Sequence, residues 1–342
     1  MPDSSNHISS PNLLTDTFGR HISYLRLSVT DRCDLRCRYC MAENMTFLPK
    51  PDVLTLEELF DLSKAFIDRG VRRIRLTGGE PLVRKGILTL IKRLGDEVAS
   101  GNLDEVTLTT NGTQLPQMAD ALYRAGIRRI NVSLDTLDAK LFEEISRRDR
   151  LEQVLDGIKA AKAAGLKVKI NTVALKGQNE TEIPAILDWC LAEGLDLTLI
   201  ETMPLGDIEG AREDSYLPLT ALLPGLNTRW NLRPSTFKTG GPARYFAIEG
   251  SDNRLGLITP LTGNFCDGCN RVRVTCTGRI YMCLGQDDHV DLRAALRSDN
   301  PDQALEAALG KAMIQKPKGH DFAMKDNRMV GTVGRHMSAT GG

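Results

Sequence analysis

The sequence predicts an α/β protein: an incomplete (β/α)6 TIM-like barrel with a smaller C-terminal α+β unit covering the barrel opening. Three observations predict it. Short apolar runs alternate with helical patterns six times between residues 24 and 201, a rhythm that implies right-handed crossovers and a parallel sheet. Motifs rich in reactive side chains follow five of those runs, at the rim where such folds hold ligands. After about residue 212 the rhythm changes to short β-type runs joined by Gly-containing turns, which suit antiparallel pairing. Six units are fewer than the eight of a closed barrel, and a flat doubly wound sheet is the alternative.

The predicted strands are 24–29, 73–77, 105–109, 128–133, 167–174 and 196–201. After the first comes L-T-L-E-E-L-F-D-L-S-K-A-F-I-D-R-G. Its Thr55 and Glu58 have capping-box spacing, Leu59, Phe60 and Phe66 mark an apolar face, and Gly70 stops the helix. The stretch L-E-Q-V-L-D-G-I-K-A-A-K-A-A-G ends in the same way at Gly165. The expected division is a flexible segment over 1–17, the barrel over 18–212, a C-terminal unit over 213–322, and a flexible tail over 323–342 that lacks apolar periodicity and ends in Gly-Gly.

Composition restricts the function classes. Among 342 residues, 44 Lys plus Arg balance 44 Asp plus Glu, so no overall basic field exists to hold nucleic acid or an anionic membrane. An anionic ligand must be met by local charge. The N-terminus has no secretory signal and no window approaches a membrane span, so a cytoplasmic protein is expected. In that compartment disulfides are rare, and the eight cysteines read as metal ligands, reactive thiols or core residues.

Cys33, Cys37 and Cys40 form C-x3-C-x2-C after the first strand. Three thiolates on a cubic iron–sulfur cluster cap three irons and leave the fourth open. Arg32, Arg36 and Arg38 stand among them as counter-charge or as solvated surface. A second group is F-C-D-G-C-N-R-V-R-V-T-C-T-G-R-I-Y-M-C, with Cys266, Cys269, Cys276 and Cys283. Spacing alone does not say which three or four bind, and a zinc ribbon is the competing reading. Cys190, alone on a helix, reads as a core thiol.

The first triplet, with Thr77-Gly78-Gly79-Glu80-Pro81 at the second strand end, resembles the signature of the radical S-adenosylmethionine (SAM) enzymes. The resemblance implies a [4Fe-4S] cluster whose open iron takes SAM and yields a 5′-deoxyadenosyl radical. It places Tyr39, Gly79, Glu80, Ser133 and Met203 at SAM contacts, with the glycine pair letting backbone approach the methionyl amino group. From about Phe18 to Gly342 the chain further resembles the GTP 3′,8-cyclase family of molybdenum cofactor biosynthesis. The matching stretches are L-R-L-S-V-T-D-R-C, F-C-x-x-C-x-R-x-R, C-T-G-R and the terminal Gly-Gly.

That closer resemblance implies a second [4Fe-4S] cluster on Cys266, Cys269 and Cys283, with Cys276 outside it. It puts GTP on Arg26, Arg75, Thr109, Lys169, Arg271 and Arg273. Arg271 and Arg273, two apart on an extended run, would face one side. The implied reaction joins C3′ of the ribose to C8 of guanine, with Gly341 and Gly342 assisting turnover inside the cavity. A flavodoxin- or ferredoxin-type reductant and, downstream, cyclic pyranopterin monophosphate synthase are the implied partners, and the chain is expected as a monomer or homodimer. Where the family often has Arg, this chain has Thr198, with Arg212 or Lys238 as possible substitutes. A peptide-modifying radical SAM enzyme, or a non-enzymatic iron–sulfur or zinc module, are the competing functions.

Overall fold

The structure is a computed structural model that describes residues 13–206, 212–263, 265–326 and 328–341. All six predicted strands are present: β1 (Tyr24–Ser28), β2 (Arg73–Thr77), β3 (Glu105–Thr110), β4 (Arg129–Ser133), β5 (Lys167–Ala174) and β6 (Asp196–Glu201). Between them run α1 (Leu56–Ile67), α2 (Ile87–Ala99), α3 (Leu115–Arg124), the pair α4 (Ala139–Ser146) and α5 (Leu151–Ala163), and α6 (Ile183–Ala192). The strands pair in sequence order and all in parallel.

Helix α1 starts as its sequence dictates. Glu58 N–H donates to Thr55 Oγ1 at 3.1 Å and Thr55 N–H donates to Glu58 Oε2 at 2.8 Å, so two orphan donors are satisfied reciprocally. Leu59 and Phe66 are buried as expected. Phe60 instead sits at the flank, with the Arg93 guanidinium 3.6 Å from its ring centroid. Along each strand alternate residues divide between two faces. Ile74 and Leu76 of β2 join the core against the helices, whereas Arg75 between them points the other way, into a chamber.

The downstream segment departs from the expected separate antiparallel unit. Here α7 (Leu219–Trp230) leads to β7 (Arg233–Pro234), β8 (Arg244–Ala247), β9 (Arg254–Ile258), β10 (Arg271–Val274), β11 (Arg279–Tyr281) and β12 (His289–Asp291). Strand β9 adds to β6 in parallel and β10 adds to β1 in parallel. Antiparallel pairing begins only beyond those two strands, β8 on β9 and β11 on β10. The result is one sheet of order β12-β11-β10-β1-β2-β3-β4-β5-β6-β9-β8-β7. An open run of six parallel strands leaves two edges of unpaired N–H and C=O groups, and β9 and β10 satisfy them. Periodicity reports a strand but not its partner, so this was not legible in the sequence.

Helices α8 (Leu292–Leu296) and α9 (Pro301–Gln315) follow. The stretch expected as a flexible tail carries a hairpin, β13 (Ala323–Lys325) with β14 (Arg328–Val330), and a helical turn, α10 (Met337–Thr340). Elements of three and four residues are too short to show a period. Among the described residues no helix is long and apolar enough to cross a membrane.

Candidate active site

Two adjoining cavities, of about 140 and 180 Å³, lie against the strands and share Thr109, Asn171, Ile200, Met203 and Met337 as walls. The larger holds the first cysteine triplet and the smaller the second. All eight cysteines are free thiols.

The smaller chamber gathers Arg26, Arg75, Thr109, Lys169, Arg271 and Arg273, residues spread over 248 positions of sequence, from 26 to 273 inclusive. Register explains how. Arg273 of β10, Arg26 of β1 and Arg75 of β2 are direct cross-strand partners, so three guanidinium groups stand side by side. Like charges placed opposite each other destabilise a sheet, and such a row makes sense as the lining of an anion site. Burial lowers Arg26 to about 10, with Arg75 and Arg271 adding to it against Tyr24. Burial, then Arg26 and Arg271, likewise hold Arg273 well below its ordinary value. Lys169 falls to about 7, first through burial and then through Arg75 and Arg129. Its Nζ lies 3.0 Å from the Tyr245 hydroxyl, and Arg75 is held by Tyr24 Oη at 2.6 Å and Thr109 Oγ1 at 3.2 Å.

Cys266, Cys269 and Cys283 line the same chamber. Burial alone would raise the Cys269 thiol, but Arg271 and Lys316 outweigh it and hold it below its usual value. Arg20, ion-paired to Asp16 at 2.6 Å, donates to the carbonyls of Cys266 at 2.8 Å and Pro317 at 2.6 Å, stapling the N-terminal segment and the chain beyond α9 to this triplet. Cys276 is 1% exposed and lines neither cavity.

In the larger chamber stand Cys33, Cys37, Cys40, Tyr39, Gly79, Ser133 and Met203. The glycine pair lines this chamber and has a further physical reason. A Cβ at Gly78 would lie 2.3 Å from the Thr30 carbonyl oxygen, and one at Gly79 would lie 2.3 Å from that of Arg32. The glycines therefore let the cysteine loop lie flat on the end of β2, where Gly79 N–H donates to Thr30 O and Glu80 N–H to Arg32 O. Glu80 also differs from its expected contact. It is fully buried, lines neither cavity, and accepts from Leu82 N at 2.9 Å, Thr110 Oγ1 at 2.8 Å and Asn111 N at 2.6 Å. Burial raises it to about 8 despite the Asn111 and Leu82 donors. It braces the ends of β2 and β3 beneath the cysteine loop.

The segment 333–341 packs beside the pair of cavities, with Met337 on the wall they share. Gly206 N–H donates to Val333 O at 2.7 Å and Val333 N–H to Pro204 O at 3.0 Å, docking the end on the loop that carries Met203. Arg335 grips Asp287 at 2.5 Å and lies 3.8 Å from the Tyr281 ring centroid. Beyond α10, Gly341 is buried, and Arg273 Nη1 donates to its carbonyl at 2.6 Å. Gly342 lies outside the described residues.

Comparison with known proteins fits this geometry. Residues 27–190 match the Radical SAM superfamily and residues 195–322 match Molybdenum Cofactor Synthesis C. The chain is 60% identical to GTP 3′,8-cyclase of Erythrobacter litoralis over 96% of this chain and 98% of that one. It is 57% identical to GTP 3′,8-cyclase of Agrobacterium fabrum over 96% and 94%. The chain belongs to the GTP 3′,8-cyclase family. Among solved structures, Streptococcus suis SuiB bound to S-adenosylmethionine superposes with a TM-score of 0.60 at 17% identity, covering 86% of this chain and 68% of that one, a likeness of fold.

The donor sets suit the clusters that GTP 3′,8-cyclases imply. Each triplet lines one chamber with its thiols electrostatically coupled, Cys37 to Cys40 and Cys33, and Cys283 to Cys269 and Cys266. Among the described residues no three or more His, Cys, Asp or Glu converge on a single ion, whereas a cubic cluster is bound by sulfurs held apart on separate irons. Arg271 and Lys316, which both favour the Cys269 thiolate, would supply counter-charge to an anionic cluster held at the second triplet.

Sequence reasoning missed several residues of this GTP 3′,8-cyclase site. Asp135 accepts from Tyr39 Oη at 2.6 Å and from Val173 N at 2.8 Å, and burial raises it to about 6; the S-L-D at the end of β4 was its signal. Asn171 and Tyr24, each two residues from a predicted contact on the same strand, follow from alternation. Thr198, where the family often has Arg, is fully buried and lines neither cavity. A Cβ on Gly256 would press on both Thr198 Oγ1 and the Tyr245 ring, at 2.9 and 3.0 Å. Small residues at 198 and 256 thus leave room for Tyr245, which reaches Lys169. Lys238 is exposed and lines neither cavity, and the Arg212 side chain lies outside the description.

Proposed function

We propose that this chain is a lyase, a radical SAM GTP 3′,8-cyclase, converting GTP to (8S)-3′,8-cyclo-7,8-dihydroguanosine 5′-triphosphate in the first step of molybdenum cofactor biosynthesis. The observation that carries this reading is the row Arg273–Arg26–Arg75 lining the smaller of two three-thiol chambers that share walls. When bound, a [4Fe-4S] cluster and SAM supply a 5′-deoxyadenosyl radical able to remove the ribose 3′ hydrogen atom.

This chain's own residues bind and orient. Cys33, Cys37 and Cys40 hold the first cluster, with Tyr39, Gly79, Ser133 and Met203 walling the SAM position. Cys266, Cys269 and Cys283 hold a second cluster. Arg26, Arg75, Lys169, Arg271 and Arg273 meet a triphosphate of about four negative charges with forked and point cations, while Thr109 stands on the wall common to both chambers. The ribose C3′ radical, held against C8, forms the new C–C bond, and one electron and one proton then complete the dihydropurine. A flavodoxin- or ferredoxin-type protein supplies the electron. Burial excludes water and solvent hydrogen atoms from the carbon radical. Gly341 accepts from Arg273 and so holds that guanidinium beside the substrate position.

Anaerobic reconstitution, followed by incubation with SAM, dithionite and either GTP or ATP, tests the proposal. GTP gives one 5′-deoxyadenosine per cyclised product and ATP gives none. Equal turnover of both nucleotides, or SAM cleavage without any GTP product, would overturn it.

A further inference from the structure

Lys316, the residue after α9, is 3% exposed. Its Nζ donates to Met282 O at 2.8 Å and Arg271 O at 3.3 Å, and lies 3.7 Å from Cys269 Sγ. Among the described residues no carboxylate pairs with it. A buried ammonium faced only by neutral carbonyls is costly, because its lost hydration is replaced by dipoles alone. Among the described residues the hydrogen-bond partner that can carry negative charge is the sulfur of Cys269, and the Cys283 thiol feels the same cation from farther off. The lysine is also fixed on both sides. Helix α9 precedes it, and Arg20 holds the next two carbonyls, Pro317 at 2.6 Å and Lys318 at 2.7 Å, together with that of Cys266. The cation is therefore tied to the loop that carries the triplet.

We propose that Lys316 is a positioning residue of the second cluster: its ammonium is the built-in counter-ion of the Cys269 thiolate, orienting that ligand and making the cluster bound there easier to reduce. The inference rests on the functional reading above. A hydrogen bond and a positive charge on a ligand sulfur both stabilise the more negative, reduced cluster, the general route by which surroundings set potentials. The first triplet is met differently. Burial and then Glu80 raise Cys33, and Asn111 Nδ2, a neutral donor, stands 3.7 Å from its sulfur. The side-chain donor at Cys33 is thus a neutral amide, whereas that at Cys269 is an ammonium.

The test uses the full chain with Cys33, Cys37 and Cys40 replaced by alanine, so that only the second cluster contributes. Iron is counted after anaerobic reconstitution, and the midpoint is read by potentiometric titration with electron paramagnetic resonance. Lys316→Met is expected to keep about four irons and to move the midpoint negative by at least about 59 mV, a tenfold change in a one-electron equilibrium. Lys316→Arg is expected to stay closer to the parent than Lys316→Met. Loss of the cluster from Lys316→Met but not from Lys316→Arg would support the counter-ion role equally. A Met variant with a full cluster and an unmoved midpoint overturns it. Should Lys316→Met fail to fold, the parent chain labelled with ¹⁵N-lysine decides. Pulsed resonance of its reduced cluster then shows a ¹⁵N coupling, and absence of that coupling overturns the proposal. Failure of the parent to take up iron at Cys266, Cys269 and Cys283 would instead overturn the functional reading.

Discussion

Replacing Gly341 with alanine is the most direct probe of how the chain's end is seated. Gly341 has φ 75° and ψ 132°, a region that side-chain-bearing residues enter only at a cost of about 1–3 kcal/mol. Its new methyl would lie 2.0 Å from Thr77 Oγ1 and 2.3 Å from Thr77 Cβ. Thr77 is 1% exposed on β2 and cannot retreat. The end must therefore leave, and with it goes the Arg273 hydrogen bond to the Gly341 carbonyl, worth about 1.5–3 kcal/mol for a charged donor. Together roughly 2.5–6 kcal/mol disfavours the seated state, a factor of about 10² to 10⁴ in its population. Hydrogen exchange over residues 337–341 reads the seating, and product formation reads its consequence. Gly341→Ala should keep both clusters and its melting temperature, lose protection at the end, and form product at least about tenfold more slowly. Unchanged protection with unchanged turnover would refute the argument. Lost protection with unchanged turnover would refute only the functional role of the seated end.

Lys169, lowered to about 7, is largely neutral in free protein above that pH, whereas a bound triphosphate favours its charged form. GTP binding should therefore take up close to one proton at pH 8, and affinity should fall by up to about tenfold per pH unit above 7. Calorimetry in buffers of unlike ionisation enthalpy checks this, and a flat profile from pH 7 to 9 would contradict it. Cys276→Ser should leave iron content unchanged, because the thiol is buried outside both chambers; a loss of about four irons would place it on the second cluster. Glu80→Ala strands the Leu82 and Asn111 N–H donors, at about 1–3 kcal/mol each. Denaturant unfolding should show that loss, and iron counting should show depletion at Cys33, Cys37 and Cys40 alone. A variant with native stability would disprove the brace.

The parallel core was legible because each strand–helix unit signals itself locally, by β-type runs, a capping box at Thr55 and helix stops at Gly70 and Gly165. The first thiols were legible because three cysteines crowd one strand end, whereas the cations lie inside strands and were named by the family resemblance. What escaped were pairwise facts. That Arg273 neighbours Arg26 depends on β10 adding to β1, which no period along one strand encodes. Glu80 was read as a ligand contact through the family resemblance of T-G-G-E-P, yet Thr110 of β3 and Asn111 just after it donate to its two oxygens. Lys316 carried no motif to separate it from ordinary surface charge, and the S-L-D that holds Asp135 marked a strand end without naming a partner. Gly78 and Gly79 were found and line the larger chamber, but the backbone that crosses them was not foreseen.

The two capped sheet edges bear on how this protein could be taken apart. Severed between β6 and α7, the chain would yield an N-terminal piece with β1 and β6 bare and a C-terminal piece whose β10 and β9 match those bare strands. Neither piece would be a module in its own right. Each would be the other's missing margin, prone to clump when made singly and inclined to reassemble when co-produced, as a natural split-reporter pair.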